Sequence, residues 1–330
     1  MSARLQQVFD GAVSGDRRLL ARAISLIEGR VGGINGVLSG LQTRRSVEPG
    51  RPHVIGLTGP PGAGKSTFSS QIVSLARAQG HRVAVIAVDP SSPFSGGAIL
   101  GDRLRMEAHA DDAGVFIRSL ASRGHLGGLS RATGQVVDLL DAVGFDTILV
   151  ETVGVGQSEL SVMEVAGTVV VVLTPESGDT VQTMKAGLLE VGDIFVVNKA
   201  DRPGADRLSR ELEQMVQLDS RFAGAFGVTR GVQAECLWEA PVYASSALNG
   251  EGISDVMKAA QTHRDWCAGQ GRPAWTARRA SGRVRTFLDL AAEAGRTAAV
   301  QIIDADQGRL REELMQGLNP YELAASVGGE

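Results

Sequence analysis

The sequence is poor in the features that mark secreted or nucleic-acid-binding proteins. Only two of its 330 residues are cysteines, Cys236 and Cys267, and the formal net charge is −4. Two distant cysteines outside a C-x-x-C pattern predict free thiols in a reducing compartment rather than a disulfide framework. A slightly acidic chain has no bulk attraction for nucleic acid or for an anionic membrane surface. We therefore expect neither of these two partners.

Long hydrophobic runs are also lacking. The run GTVVVVLT at 167–174 is too short to cross a bilayer as a helix. The amino-terminal stretch MSARLQQVFDGAVSGDRR has no apolar centre of the kind that a secretory signal needs. Together these features predict a cytoplasmic protein without a membrane span.

Short apolar runs alternate with amphipathic helical patterns from residue 53 onwards. The predicted strands are 53–58, 82–88, 114–119, 145–151, 168–174, 193–198 and 240–245. The predicted helices between them lie near 65–79, 130–143, 180–190, 204–218 and 252–268. Such alternation predicts an α/β fold with a mostly parallel sheet between helices, and the nearly all-apolar strands are typical of a sheet buried on both faces.

The two ends of the chain have helical sequence patterns without the alternating strands of this central part. Residues 1–52 show helical periodicity and then a turn-rich linker, SVEPGRP. The segment GQGRP closes the central domain, and the remainder is amphipathic and helical. We predict an N-terminal helical extension (1–52), a central domain (53–270) and a C-terminal helical segment (271–330). From periodicity alone, this last segment either packs on the domain or pairs with another chain.

The stretch GPPGAGKST follows the first predicted strand and matches the pattern G-x-x-x-x-G-K-[ST]. Backbone N–H groups of such a loop surround a di- or triphosphate, and the next helix directs its positive end at it. Lys65 would reach the β- and γ-phosphates, and Ser66 would bind Mg²⁺. The alternative is an ordinary glycine turn before a helix. The candidate phosphate-binding residues are Gly59, Pro60, Pro61, Gly62, Ala63, Gly64, Lys65, Ser66 and Thr67.

A carboxylate and then a glycine end the strand at 145–151, in the sequence ETVG. Glu151 can hold Mg²⁺ directly or through water, and Gly154 can turn its N–H toward a γ-phosphate. Many nucleotide-hydrolysing proteins have aspartate at the first position, and the additional methylene moves the carboxylate by about 1.5 Å. Water-mediated contact can absorb that shift. The pattern therefore indicates a nucleotide switch rather than a plain glycine turn.

The later strand FVVNKAD ends in an N-K-x-D pattern, Asn198-Lys199-Ala200-Asp201. An acid there can accept hydrogen bonds from the ring N–H and 2-amino groups of guanine. Adenine lacks this pair of donors, so a site that buries the acid rejects adenine. The Lys199 stem can cover the base, and Asn198 can join this loop to the phosphate loop. After the last strand, a backbone N–H of Ser245, Ser246 or Ala247 is a candidate donor to the guanine 6-oxo group.

Other charged residues follow two further strand ends. Asp89 ends a strand, and Asp102 is a second candidate metal ligand in the segment after it. Arg103 and Arg105 can face the developing phosphate charge, or they are simply charges of a solvated loop. Lys185 follows another strand, in TPESGDTVQTMKAG, which is either a third conformational element or an ordinary capped helix start.

The glutamine that orients the attacking water in small signalling GTPases has no counterpart in the usual place. That place, directly after the sensor glycine, is Val155, and the nearest glutamine is Gln157. We expect slow intrinsic hydrolysis. A partner, or a switch arginine or lysine, would complete the catalytic site. The candidate catalytic residues are Lys65, Arg105, Glu151 and Lys185.

The order of these motifs resembles P-loop GTPases that carry glutamate in their third nucleotide motif. Within that class, VDPSSPFSGGAILGDRLRM, RGHLGGLS, ETVGVGQSE and TPESGDTVQTMKAGLLE are closely similar to the MeaB/ArgK family. The resemblance covers roughly residues 10–325. Family members are accessory GTPases of methylmalonyl-CoA mutase and related adenosylcobalamin-dependent acyl-CoA mutases.

The resemblance implies more than spacing shows. It implies GTP and GDP as ligands, Mg²⁺ held around Ser66, Asp89, Asp102 and Glu151, and a partner-responsive third switch near 174–185. It also implies a homodimer formed through C-terminal helices. The client would be an acyl-CoA mutase whose cofactor loading the GTPase gates and whose inactivation it prevents or reverses.

Two rival functions remain open at this point. One is a nucleotide-dependent kinase of a transport-system protein, which would transfer the γ-phosphate to an acceptor. The other is a metallochaperone GTPase. The five histidines have no paired spacing with each other or with the cysteines, which disfavours a soft-metal site.

Overall fold

The computed structural model describes residues 2–42, 52–89, 106, 108–121, 131–152, 162–177, 188–226 and 238–272, and positions 284, 288, 290–292 and 295. Two compact units divide the chain, Met1–Arg279 and Ala280–Glu330. The first unit contains the strands given below, and the second is helical at its described positions. The domain boundaries predicted after residues 52 and 270 stay predictions.

A seven-stranded parallel sheet organises the first unit and confirms the predicted α/β fold. Each strand bound lies within two residues of the predicted one. The strands are β1 (His53–Thr58), β2 (Val83–Asp89), β3 (Val115–Ala121), β4 (Thr147–Thr152), β5 (Thr168–Leu173), β6 (Ile194–Val197) and β7 (Val242–Ala244).

Eight α-helices are described around the sheet and at the amino end. They are α1 (Ser2–Val13), α2 (Arg17–Glu28), α3 (Ile34–Gln42), α4 (Lys65–Ala78), α5 (Arg131–Val143), α6 (Leu188–Val191), α7 (Ala205–Phe226) and α8 (Ile253–Ala268). Single 3-10 turns lie at Val162–Glu164 and Pro175–Ser177. The helix α7 is longer than predicted, because it continues to Phe226 rather than ending near 218.

The strand order places the predicted motifs side by side. It runs β3-β2-β4-β1-β5-β6-β7, so β1, which leads into the glycine loop, lies between β4 and β5. In this register Leu57 of β1 lies opposite Glu151 of β4. Because all the strands are parallel, the residues that follow β1, β4, β5 and β6 meet at one edge of the sheet.

Both faces of the sheet are buried, as the apolar strands predicted. Every residue of β1, β4, β5 and β6 is buried. Alternate side chains of a strand point to opposite faces of the sheet. Ile55 packs in a cluster with Phe68 of α4. Its neighbour Val54 packs instead with Leu140 of α5 in the other cluster. A layer of packed side chains therefore covers each face of the sheet.

The N-terminal helices pack on the same sheet rather than forming a core apart. Asp16 caps α2 by accepting from the N–H groups of Arg18 and Leu19. Arg17 donates to three carbonyls at the start of β3, those of Asp112, Ala113 and Val115. On β3 itself, Arg118 pairs with Glu28 of α2 at 2.9 Å. The buried apolar residues of α2 recur at helical spacing, and they are Leu20, Ala23, Ile24 and Ile27.

Polar side chains link the amino ends of the strands, at the edge opposite the glycine loop. His53 lies 3.1 Å from the Thr168 hydroxyl, which lies 2.9 Å from Nδ1 of His263 on α8. Burial, and to a smaller extent electrostatic repulsion from Arg264, His263 and His81, lowers the pKa of His53 to about 3. His53 is therefore neutral in the folded protein at neutral pH.

Two further observations concern the described part of the chain. None of its helices combines the length and the apolar character that a bilayer crossing requires. Cys267 is buried and its thiol is not in a disulfide, as predicted, and Cys236 lies outside the described residues.

Candidate nucleotide site

The glycine loop leaves β1 and turns directly into α4, as its sequence predicts. Two of its glycines cannot be replaced without a clash. A Cβ on Gly59 would lie 2.0 Å from the carbonyl oxygen of Val172 on β5. A Cβ on Gly64, which has φ +86°, would lie 2.5 Å from Nδ2 of Asn198. The motif glycines are thus required by close packing against β5 and against the N-K-x-D loop.

Lys65 is the first residue of α4 and is almost completely buried, with 6% of its surface exposed. Its ammonium donates to the carbonyls of Gly59 at 2.8 Å and Pro60 at 2.9 Å. The positive charge is therefore held inside the curve of the loop and at the amino end of a 14-residue helix. Both features favour a phosphate at this place.

The rest of the loop divides into a buried floor and an exposed rim. Pro60 and Ala63 are buried, whereas Pro61, Gly62 and Thr67 are exposed. Gly62 has φ +77° and open space where a Cβ would stand. A side chain at this position would meet no other atom, but the positive φ would strain it.

Glu151 meets the glycine-loop helix through two serine hydroxyls. Ser66 donates to its Oε1 at 2.7 Å, and Ser69 donates to its Oε2 at 2.8 Å. All three side chains are buried, at 4%, 4% and 0% exposed for Glu151, Ser66 and Ser69. The structure thus brings together two predicted residues, Ser66 and Glu151, that are 85 positions apart.

These oxygens fit the cation that the fold implies. A serine hydroxyl and a carboxylate are hard oxygen donors, which Mg²⁺ prefers, and they lie together beside the phosphate loop. Asp89 is the last residue of β2, whose Ala87 lies opposite Glu151 in the register, so its backbone reaches the same edge. Five further candidates lie outside the described residues, namely Asp102, Arg103, Arg105, Gly154 and Lys185.

The N-K-x-D residues follow β6 and form a second wall of the site. Asn198 is buried, and its Nδ2 donates to the carbonyl of Ala63 at 2.8 Å, as predicted for a link between the two loops. Lys199 has φ +57°, an uncommon backbone conformation for a residue with a side chain. Such local strain is typical of residues that a functional loop holds in place.

Asp201 accepts from the Ser246 hydroxyl at 2.9 Å, which fixes the direction of its carboxylate. The residue is exposed, so its carboxylate is accessible to a ligand. The three candidate N–H groups after β7 already donate within the protein. Ser245 donates to Val197 O, Ser246 to Glu251 O, and Ala247 to Oδ1 of Asn198. Their contact with a guanine 6-oxo group stays a prediction.

Sequence reasoning missed two residues of this neighbourhood. Ser69 lies three residues after Ser66, which puts both hydroxyls on one side of α4, and this spacing was the available signal. Glu176, in the turn after β5, pairs with Lys199 at 3.4 Å and with Arg202. Hydrogen bonding from Arg202, and more weakly from Lys199, lowers the pKa of Glu176.

Comparison with known proteins gives consistent matches over most of the chain. The family model described as Methylmalonyl Co-A mutase-associated GTPase MeaB matches residues 20–300. A Pyrococcus abyssi protein that carries the name of a GTPase is 44% identical over 270 residues, which is 81% of this chain and 78% of that protein. GTPase ArgK of Escherichia coli is 38% identical over 245 residues, 74% of this chain and 71% of its own length.

Two further relatives extend the comparison. The Mus musculus protein named Methylmalonic aciduria type A homolog, mitochondrial, is 37% identical over 265 residues, 76% of this chain and 61% of that protein. Among solved structures, one described as a LAO/AO transport system kinase superposes with a TM-score of 0.67 at 25% identity. The superposition covers 99% of this chain and 97% of the other.

Proposed function

The chain belongs to the family of methylmalonyl-CoA mutase-associated GTPases, and on this premise we propose that it is a GTP-driven switch for an adenosylcobalamin-dependent acyl-CoA mutase. Membership confirms the resemblance seen in the motifs. It also confirms the predicted reaction, in which GTP and water give GDP and phosphate. The residue roles and the client are the proposal.

The observation that supports a nucleotide-dependent switch is the hydrogen bond between Ser66 and Glu151. It joins the phosphate-loop helix to the strand end from which the sensor segment ETVG continues. Any ligand that engages Ser66 therefore acts on Glu151, the first residue of this segment. In the proposal, Gly154 contacts the γ-phosphate of GTP and loses that contact on hydrolysis.

The phosphates are assigned to the glycine loop, and the base to the N-K-x-D loop. Loop N–H groups and the Lys65 ammonium would stabilise charge on the transferring phosphoryl group, and the ammonium is already held at the loop by the Gly59 carbonyl. Ser66 and Glu151 would hold Mg²⁺, with Asp89 and Asp102 as further candidates, and this ion would neutralise charge on the β- and γ-phosphates. Arg105 and Lys185 are the candidate cations that complete the site.

Base recognition is assigned to Asp201 and Lys199. The carboxylate of Asp201, oriented by Ser246, would accept from the guanine ring N–H and 2-amino groups. The Lys199 stem would lie against the base. Asn198 connects the base-binding loop to the phosphate loop through its hydrogen bond to Ala63. The two loops would therefore bind the base and the phosphates as one hydrogen-bonded unit.

The acyl-CoA mutase client rests on the family and on the mouse relative, whose name refers to methylmalonic aciduria. We propose that the GTP-bound switches are read by the mutase, that hydrolysis gates loading of its intact cofactor, and that the complex protects or reactivates the enzyme. The cytoplasmic location stays a prediction from the sequence.

A homodimer through the C-terminal helices is part of the proposal. In that unit, Val284 and Leu288 are 57% and 58% exposed and stand four residues apart, which places them on one side of a helix. Exposed aliphatic side chains at helical spacing are suited to pairing with a second copy of the chain. Sedimentation analysis of the wild type and of Leu288→Glu tests this, since a dimer interface there would be weakened by the buried charge.

The client proposal is tested with purified apo-mutase of the methylmalonyl-CoA type. GTPase turnover is measured with and without it, and complex formation is followed with GTP-loaded and GDP-loaded protein. We expect the mutase to bind in at least one nucleotide state and to raise turnover. Lys65→Ala is the control for activity of the GTPase itself. No binding in either state would contradict the client while leaving the GTPase assignment intact.

The kinase alternative has one observation in its favour, because the superposed structure is described as a transport system kinase. Product analysis with γ-labelled GTP separates the two reactions. A GTPase releases labelled phosphate in the presence of candidate acceptor proteins, whereas a kinase transfers the label to one of them.

A further inference from the structure

The carboxylate of Glu151 is held at two points, and only one of them belongs to the predicted motif. Ser66 donates to Oε1 at 2.7 Å, and Ser69 donates to Oε2 at 2.8 Å. Each oxygen therefore has its own donor from the same helix, and the plane of the carboxylate is fixed. Ser69 is 0% exposed, so water does not compete for this bond.

The helix geometry explains why both bonds form. Ser66 and Ser69 are three positions apart in α4, and residues at this spacing lie on the same side of a helix. The β1–β4 pairing then sets Glu151 opposite Leu57, one residue before the end of β1. The spacing in α4 places the two serines on one side of the helix, and the pairing of β1 with β4 places Glu151 next to them.

The length of the glutamate side chain suits this arrangement. Its methylene extends the carboxylate by about 1.5 Å beyond the reach of an aspartate. That additional reach lets a residue on β4 contact two hydroxyls one helical turn apart on α4. A buried serine also has an alternative partner, the carbonyl four residues earlier in its own helix. The hydroxyl of Ser69 is instead directed across to β4.

We propose that Ser69 is a positioning residue for the magnesium site, which holds the Glu151 carboxylate in the orientation that the ion requires. It binds no nucleotide and no metal itself. Residues that orient metal ligands typically contribute ten- to hundredfold to metal affinity. This inference rests on the nucleotide site proposed above and adds a residue to it.

The test separates magnesium affinity from nucleotide affinity. GDP binding is measured by calorimetry in EDTA and then across a magnesium titration, for the wild type and for Ser69→Ala. We expect Ser69→Ala to raise the magnesium concentration for half-maximal effect by about tenfold or more. GDP affinity in EDTA stays within about twofold of the wild type, because no nucleotide contact is lost.

The matched control is the adjacent residue. Ser70→Ala removes a hydroxyl from the same helix whose partner is His109, at 2.9 Å, and not Glu151. We expect its magnesium dependence to equal that of the wild type. A second comparison uses Glu151→Asp, whose shorter side chain reaches Ser69 less well. In that background the addition of Ser69→Ala should change the magnesium dependence little.

The outcomes are distinct. Equal magnesium dependence of the wild type and Ser69→Ala overturns the role of Ser69, and so does a shift of the same size in Ser70→Ala. Failure of the wild type to bind GDP at all contradicts the nucleotide site instead. If Ser69→Ala does not fold, Ser69→Cys carries the test, because it keeps a small polar group but replaces a strong donor by a weak one. An unchanged magnesium dependence in that variant overturns the role as well.

Discussion

Asn198 connects two motifs that lie 135 residues apart in the chain, since its Nδ2 donates to the carbonyl of Ala63 at 2.8 Å. Its Oδ1 accepts from the N–H of Ala247 at 3.0 Å, so one side chain joins the phosphate loop, the N-K-x-D loop and the segment after β7. Asn198 is 2% exposed. The three loops are therefore held together by a buried amide before any base is bound.

Replacing this amide should loosen the whole site. Asn198→Ala leaves the buried Ala63 carbonyl and Ala247 N–H without their partner, and an unpaired buried polar group costs about 1–3 kcal/mol. We expect GDP affinity to fall by roughly 5- to 150-fold, measured by calorimetry. Asn249→Ala, which changes an exposed asparagine beyond β7, is the control. Equal GDP affinity in the wild type and Asn198→Ala would show that the loops do not depend on this link.

The ion pair of Glu176 and Lys199 should have a smaller and salt-dependent effect on the rate of GDP dissociation. Glu176→Gln removes the charge that holds the Lys199 ammonium at 3.4 Å, so the lysine stem is less well placed over a base. We expect GDP to dissociate faster, by at most about fivefold, because both side chains of the pair are partly exposed to solvent. The difference should disappear near 1 M salt, where screening is nearly complete.

Glu211→Gln provides a matched control for this measurement. Glu211 is as exposed as Glu176, at 47% against 48%, and it pairs with Arg207 of α7 at 2.8 Å rather than with Lys199. Its replacement should leave GDP dissociation unchanged at every salt concentration. A persistent Glu176→Gln effect in high salt would mean that charge pairing is not its cause.

Acid should destabilise the fold through His53. The pKa of His53 is lowered from 6.5 to about 3 in the folded protein, so the neutral ring stabilises the fold fully above pH 6.5. This contribution is lost as pH falls from 6.5 toward 3. One pH unit below the unfolded value, at about pH 5.5, the loss from this group is about 1.4 kcal/mol.

Denaturant unfolding at about pH 7.5 and about pH 5.5 measures this contribution. In His53→Gln the fall in unfolding free energy between the two pH values should be smaller than in the wild type by about 1.4 kcal/mol. The variant is compared with itself at the two pH values, so any general destabilisation cancels. An identical fall in both proteins would show that His53 does not titrate in this way.

The sequence around the sensor predicts slow hydrolysis without a partner. Val155 stands where a water-orienting glutamine is usual, and intrinsic turnover should stay below about 10⁻² s⁻¹. With a bound mutase, replacing the cation that faces the phosphoryl group should lower turnover on the order of 10³-fold. Arg105→Ala and Lys185→Ala are the two variants to compare by phosphate release. Fast partner-free turnover that neither substitution changes would contradict this prediction.

Local patterns in the sequence were sufficient to predict the strands and the glycine loop. The strands are buried on both faces and therefore consist of short apolar runs, such as Val169–Val172. The loop glycines follow from contacts that leave no room for a side chain, as at Gly59 beside Val172. Such features depend on residues that are close in sequence, so local sequence patterns are sufficient to predict them.

Contacts across the sheet could not be predicted in the same way. Ser69 is one of several serines in its helix, and only the pairing of β1 with β4 shows that it faces Glu151. The histidines have no regular spacing in the chain, yet His53 and His263 approach the same hydroxyl of Thr168. Those contacts depend on how distant elements pack, and a linear pattern does not contain that information.

The central claim is that the glycine loop, Glu151 and the N-K-x-D loop converge on one guanine nucleotide and one magnesium ion. Calorimetric titration of the purified chain with GDP and with ADP, each in magnesium, tests it most directly. We predict micromolar or tighter binding of GDP, about −8 kcal/mol or stronger, and binding of ADP that is weaker by at least about 10⁴-fold. Absence of heat from GDP, or equal affinity for the two nucleotides, would contradict the claim.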